Sequence, residues 1–383
     1  MRKFKEADIL SSAAGPSQSY QVLLHDPLKG KQKLRSAPQY IDNPFSQNFH
    51  DGFTKPHPIN LADQFCVEIP DAVLFGERAA ITRDDILTTD YRSSPPAQLM
   101  FPLGVRKFEM MEPTVETDEF LTSDRVDHPQ VEINETACLL SSTEHWNYGA
   151  VLLRQIPKLL ILRKLGLSEL PVLSPGSRWH KEMLQIFGVK RIVEHNRDKS
   201  YYLTKLIVPS QKTHSFYCDQ DVVQMFDEVA CKISASVPTA EAPWLYVSRI
   251  THGKKHPNYR KCLNEEELAN SLLRFGFKVI EPEKYQVKEQ IAIFRSARFV
   301  VGPSGAGMFN TLFCRPGTEV LSLEPLPNWI WLHCNMFGSM GHNYGFVTGG
   351  AMADDPEPVQ KSWMADIPAV IRRVEQVMRK LDV

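Results

Sequence analysis

Phe299-Val-Val-Gly-Pro-Ser-Gly-Ala-Gly307 is the stretch of this chain whose residue types and spacing speak most directly of chemistry. An apolar run of strand length turns through glycines into Met308-Phe-Asn-Thr-Leu-Phe313, which has a helical pattern. Glycines let backbone N–H groups approach an anion, and the start of a helix adds partial positive charge, so the segment suits a phosphate group. A tight strand-to-helix connection with no ligand fits the same residues. A second chemistry, proton transfer near neutral pH, is offered by Glu144 and His145 just after a predicted strand. Ordinary loop residues or a helix cap are the alternatives there. Metal chemistry finds less support. Asp219-Gln-Asp221 has the Asp-x-Asp form of a divalent-metal site, but it directly precedes a helical pattern, where acidic residues cap the helix and complement its dipole. His252, His256 and Cys262 lie in a basic loop at no convincing ligand spacing, and no metal site is expected.

Such residues need elements to hold them. Beyond Ala137, short apolar runs alternate with amphipathic stretches of helical length, the rhythm of a parallel sheet with helices on both faces. Strands are predicted over 137–141, 171–173, 191–193 and 203–208, and helices over 148–165, 178–187 and 221–233. Residues 234–243, with prolines and small side chains, read as a linker. A second series has strands over 244–247, 278–280, 299–302 and 320–323, and helices over 264–275, 287–297 and 305–313. Upstream, 65–88 reads as short antiparallel strands, Cys66-Val-Glu-Ile and Ala72-Val-Leu-Phe, broken at Pro70-Asp71. The expected fold is α/β: an irregular or β N-terminal arm (1–60), two Rossmann-like βαβ domains facing across a cleft (61–235 and 236–365) and a closing helix (366–383).

Composition agrees with a two-core globular chain: 43% of the 383 residues are hydrophobic and 23% charged. A net charge of −1 without a dense basic run argues against nucleic acid as a partner. Seven cysteines, odd in number and at no zinc-like spacing, point to a reduced, cytoplasmic setting. The opening Met-Arg-Lys-Phe-Lys-Glu-Ala-Asp lacks the apolar stretch of a secretory signal, so none is expected. The most apolar segment, 151–167, contains Arg154, Lys158, Arg163 and Lys164, which argues against a transmembrane segment and leaves peripheral membrane association open.

A set of motifs in order carries a family resemblance. These are Leu245-Tyr-Val-Ser-Arg249, Arg260, Asn264-Glu-Glu-Glu-Leu268, Phe275-Gly-Phe-Lys-Val279, Glu289-Gln-Ile-Ala-Ile-Phe294, Ala297, Val301-Gly-Pro-Ser-Gly-Ala-Gly307, Asn310, Phe313 and Pro316-Gly-Thr318. Over them the chain resembles glycosyltransferase family 61. More weakly, Asn147-Tyr-Gly-Ala-Val-Leu152 and Ile156-Pro-Lys-Leu159 look like the family's first-domain helix. The resemblance implies a GT-B fold and inverting transfer from a nucleotide sugar, usually linked to uridine diphosphate (UDP), to a glycan or polysaccharide. It implies no essential divalent metal, and no cofactor is expected. Two positions depart from the family: Ser304 stands where its Gly-Pro-His-Gly-Ala-Gly motif has histidine, and Ala150 where its Asn-x-x-His helix does. Serine still donates a hydrogen bond to phosphate, whereas alanine can neither donate nor act as a base. A relocated base follows, or alternatively a nucleotide-sugar- or glycan-binding protein without turnover.

Inverting transfer needs a base for the acceptor hydroxyl and stabilisation of the leaving diphosphate. Arg249, just past a strand end, offers a planar fork for a diphosphate, with a surface ion pair as the alternative. Ser248, Pro303, Ser304, Gly305, Ala306, Gly307 and Asn310 complete the expected donor-binding set. Glu324 lies near the position where the family carries a carboxylate able to hold ribose hydroxyls, and Ser322, on the same strand face, could serve instead. Glu144 and His145 are the base candidates, with His333 as an outside one on a helix face. Trp329, Trp331 and Trp363 offer rings for sugar stacking, with core packing expected for at least two of them.

Overall fold

The computed structural model describes residues 3–6, 19–28, 31–42, 53, 55–82, 86–88, 111–113, 119–122, 129–238, 243–255, 260–325, 329–351 and 362–381. The chain is a mixed α/β protein that divides into two compact units, Met1–Lys31 with Asn60–His214, and Gln32–Ile59 with Ser215–Val383. No helix among the described residues is long and apolar enough to cross a membrane.

In the first unit, β1 (Gln64–Phe75), β2 (Val131–Leu139), β3 (Val172–Ser174), β4 (Ile192–Glu194) and β5 (Tyr201–Pro209) stand in the order β4-β3-β2-β5-β1. The four strands β2 to β5 are parallel, and β1 runs antiparallel to β5. Shorter strands, among them Lys3–Glu6 and Ala79–Ile81, extend the sheet beyond β1. Apolar residues alternating along these strands, such as Phe65, Val67 and Ile69 on β1 and Leu206 and Val208 on β5, share one core. β1 runs unbroken through Pro70-Asp71, where the sequence predicts a stop. Asp71 absorbs the irregularity at φ 49°, and its carboxylate accepts the Tyr202 hydroxyl at 2.7 Å.

The helix expected over 148–165 is three pieces: Tyr148–Ala150, a π turn Val151–Gln155, and α1 (Lys158–Lys164). Proline explains the break, because Pro157 has no N–H to give to the carbonyl four residues back. That carbonyl, of Leu153, is taken instead by the Thr213 hydroxyl. α2 (Arg178–Ile186) follows β3.

The second unit has β6 (Trp244–Val247), β7 (Lys278–Ile280), β8 (Phe299–Pro303), β9 (Glu319–Glu324) and β10 (Asn343–Thr348), all parallel, in the order β7-β6-β8-β9-β10. Its longer helices are α3 (Gln220–Ser234), α4 (Glu265–Leu273), α5 (Val287–Ser296), α6 (Ile330–Ser339) and α7 (Ile367–Lys380), and a short helix, Ile250–Lys255, follows β6 and holds His252, where the sequence suggests a loop. α3, expected before a linker in the first domain, belongs here: Phe226 packs on Phe313 at 5.5 Å, and Asp227 pairs with Arg295 at 2.7 Å. Ala306–Phe313 is a 3-10 helix, wound more tightly than the α-helix its periodicity suggests.

The N-terminal segment also contributes to this unit. Tyr40–Asp42 adds a sixth parallel strand beside β10, locked by Arg373 of α7, whose Nε and Nη2 both reach the Asp42 carboxylate. Arg35, fully buried, lies 5.0 Å from the Trp331 ring centre.

Strand order reverses once in each of these parallel arrays, between β2 and β5 in the first unit and between β6 and β8 in the second. At such a point neighbouring strands send their following loops in opposite directions, which leaves a crevice at the carboxyl ends where open α/β sheets bind ligands.

Candidate active site

In the second unit the residues singled out from sequence gather at the reversal point. Ser248 and Arg249 leave the end of β6, and Ser304 and Gly305 leave the end of β8. The Arg249 guanidinium donates through Nη1 to the Ser304 carbonyl at 3.0 Å. A Cβ atom on Gly305 would lie 3.1 Å from that Nη1 and 3.2 Å from Cζ, closer than an ordinary contact, so any side chain there would press on the guanidinium. The Ser304 hydroxyl is buried and makes no hydrogen bond among the described residues.

Glu265 fixes the Arg249 turn. Its Oε1 accepts the Arg249 N–H at 2.5 Å, the Ser248 hydroxyl at 3.0 Å and the Tyr246 hydroxyl at 3.3 Å. Burial holds its carboxyl above the ordinary carboxylate range, against the pull of those donors. The sequence reading missed its role, although the signal was present: Glu265 shares a helix face with buried Leu268, Ala269 and Leu272.

At the adjacent strand end, Glu324 is fully buried, and its Oε1 accepts Ser322 at 2.8 Å and His333 Nδ1 at 2.6 Å. Its Oε2 has no hydrogen-bond partner among the described residues. Ser322 and His333 thus support Glu324 rather than compete with it. Two expected contact residues are engaged elsewhere: Asn310 donates to Gln290 at 3.1 Å, and the missing Cβ of Gly307 faces Val247 Cγ1 at 2.9 Å, a packing contact. Pro303 ends β8, and Ala306 begins the 3-10 helix.

Trp363 is a core side chain with its Nε1 donating to the Arg260 carbonyl, and Trp331 meets His57 edge-on at 4.2 Å. Trp329 lies 5.7 Å from the Arg260 guanidinium carbon. Asp219 caps α3, accepting the Val222 N–H at 3.0 Å. No cluster of three metal-binding side chains occurs among the described residues, and His256 lies outside them.

In the first unit Glu144 and His145 occupy the loop after β2, at that sheet's reversal point. Lys158, fully buried, holds this strand end by donating to the carbonyls of Leu139, Leu140 and Ser141 at 3.5, 3.2 and 3.0 Å. Glu144 adopts φ 59°, a left-handed conformation that costs a non-glycine residue. Buried Glu77 imposes it, accepting the Glu144 N–H at 2.6 Å while pairing with Arg197 at 3.1 Å. The Glu144 side chain is 43% exposed and bonded to Arg154 at 3.1 Å.

His145 is different: fully buried, with neither ring nitrogen hydrogen-bonded among the described residues and the Glu77 carboxylate 3.9 Å from Nε2. Burial, reinforced by His195, Arg197 and His180, pushes its pKa down to about 2. His180 and His195, which follow β3 and β4, were not singled out in the sequence, and burial pushes each to about 4. The His145 carbonyl can only accept, so His180 Nε2 carries the proton donated to it at 2.9 Å, and Nδ1 accepts from Ser177 at 2.5 Å. Ala150, where the family has histidine, is buried at the entry to the π turn and brings no polar side-chain atom to this loop.

The profile of the family described as Glycosyltransferase 61 matches residues 108–321, more than half of the 383-residue chain. No curated protein matches the chain. The chain belongs to glycosyltransferase family 61 and is a glycosyltransferase, acting between a sugar donor and an acceptor.

Proposed function

We propose that the protein is an inverting, metal-independent transferase that moves a sugar from a UDP-sugar to a glycan or polysaccharide. In this GT-B reading the second unit binds the donor and the first unit the acceptor. One observation carries the donor assignment: Arg249 meets the Ser304-Gly305 turn where the β6 and β8 strand ends diverge. A diphosphate there would be met by a guanidinium and by the free Ser304 hydroxyl, the charges and dipoles that a leaving group requires. Glu324, with one unpaired oxygen, suits the ribose hydroxyls.

For the base, Glu144 is favoured over His145. Solvent reaches its carboxylate, and its backbone is held in a costly conformation of the kind that collects at functional sites. His145, buried and neutral, packs beside it.

The experiment is a thermal shift with UDP in excess chelator. At a hundred times Kd, binding adds about 2.7 kcal/mol of stability, so Tm rises without metal. A shift seen only with added Mg²⁺ or Mn²⁺ would overturn metal independence. Gly305→Val should abolish the shift with the fold intact, because the new side chain would occupy the space of the Arg249 guanidinium. Unchanged UDP affinity in that variant would move the phosphates elsewhere.

A further inference from the structure

The Trp146 side chain is exposed, at 49%, although it sits between buried His145 and the partly buried Asn147. The chain therefore places a large apolar ring in water at the sheet's ligand-binding edge, two residues from Glu144. The ring is held at a fixed angle. It meets His180 at 5.3 Å and 86°, and His145 at 5.5 Å and 83°. Those imidazoles are themselves anchored: His180 is tied to Ser177 and to the His145 carbonyl, and Trp179 lies tilted against it at 3.6 Å. Tyr148 then packs on Trp179 at 5.5 Å. Trp146 in the loop after β2, Tyr148 in the helical turn that follows it and Trp179 in the first turn of α2 thus form a braced aromatic group. Glu144 and Arg154 supply hydrogen-bonding groups in the same loop region.

We propose that this group is the acceptor subsite, and that Trp146 receives the apolar face of a pyranose ring. The proposal rests on the reading of the first unit as the acceptor side. The chemistry is specific to sugars. A pyranose presents polarised C–H bonds on one face and hydroxyls around its rim. The electron-rich face of an indole attracts the C–H bonds, while neighbouring carboxylate and guanidinium groups take the hydroxyls. A protein partner would require a broader apolar patch than one ring and its two braces. Stacking on Trp146 would also bring a rim hydroxyl toward Glu144, two residues away in the same loop.

The test is binding of labelled full-length protein, with saturating UDP, to an immobilised panel of gluco-, xylo-, galacto- and N-acetylglucosamine oligosaccharides. Wild type, Trp146→Ala and Trp146→Phe are compared, with UDP thermal shifts and circular dichroism on each. Wild type should retain at least one oligosaccharide class, Trp146→Ala should weaken it on the order of tenfold or more, and Trp146→Phe should stay within about threefold. The UDP shift should be the same in all three. Wild-type binding that Trp146→Ala leaves intact overturns the proposal, and so does wild type binding no member of the panel. A Trp146-dependent oligosaccharide signal without any UDP shift would overturn the donor reading and leave this subsite standing.

Discussion

In the proposed mechanism, Arg249 is held in place before the charge it would stabilise develops. Its N–H is tied to Glu265, and its guanidinium is lodged against Gly305, so on the proposed reading it would not need to reorganise as a diphosphate leaves. Its contacts should strengthen as the glycosidic bond breaks, and rate should therefore suffer more than binding. Arg249→Ala is expected to lose about 10²-fold or more in kcat, with Arg249→Lys in between because it keeps charge but not the planar fork. Steady-state kinetics with both substrates saturating check this, and an alanine variant with wild-type kcat would refute the role. Glu144 allows a sharper separation of stability from function. Glycine accepts φ 59° without strain, so Glu144→Gly should gain on the order of 1 kcal/mol in chemical denaturation while transfer to acceptor is lost. A stable variant with full transfer would remove Glu144 as base, and a destabilised one would show that Glu77 and Arg154 outweigh the strain.

Among the elements, those that local pattern governs were legible. The strands 244–247 and 278–280 match β6 and β7 residue for residue, because short apolar runs bounded by turns leave little freedom. The 148–165 helix was read in place but not its π turn, since the compensation for Pro157 comes from Thr213, far along the chain. Site residues followed the same division. Arg249 and Gly305 can be singled out from sequence because their motif is local, whereas Glu77 and His195 enter only through tertiary contacts with Glu144 and His145. Asp219 was read as a cap, and the structure has it so. Asp219→Ala should therefore cost about 1 kcal/mol in urea denaturation and leave the response of activity to chelator unchanged. Activity that becomes metal-dependent or vanishes in a folded variant would contradict the capping role.

At the scale of the molecule, four of the five histidines buried among the described residues set an acid limit. His180, His195 and His342 are held near about 4, and His145 near about 2, all below the ordinary value near 6.5. Above that value both folded and unfolded states keep these rings neutral. As pH falls below 6.5 the unfolded chain takes up protons that the folded one refuses, and stability drops until the folded rings titrate near pH 4. Each ring can contribute up to about 1.4 kcal/mol per pH unit in that window. Urea midpoints should therefore fall markedly between pH 7 and pH 5, before most carboxylates titrate, and a flat profile there would mean that the imidazoles are hydrated.

The Tyr40–Asp42 strand carries a consequence for synthesis. Tyr344 hydrogen-bonds Ser36 across 308 positions, and the short strand four residues beyond Ser36 pairs with the same late strand, β10. At roughly 5 to 20 residues per second, the early segment leaves the ribosome about 15 to 60 s before its partner exists. It must wait unpaired through the assembly of nearly everything else, and the second unit can close only when the last tenth of the chain arrives. A ribosome that stalls within that interval would release a sheet with its closing edge open, a ready template for joining another unfinished chain.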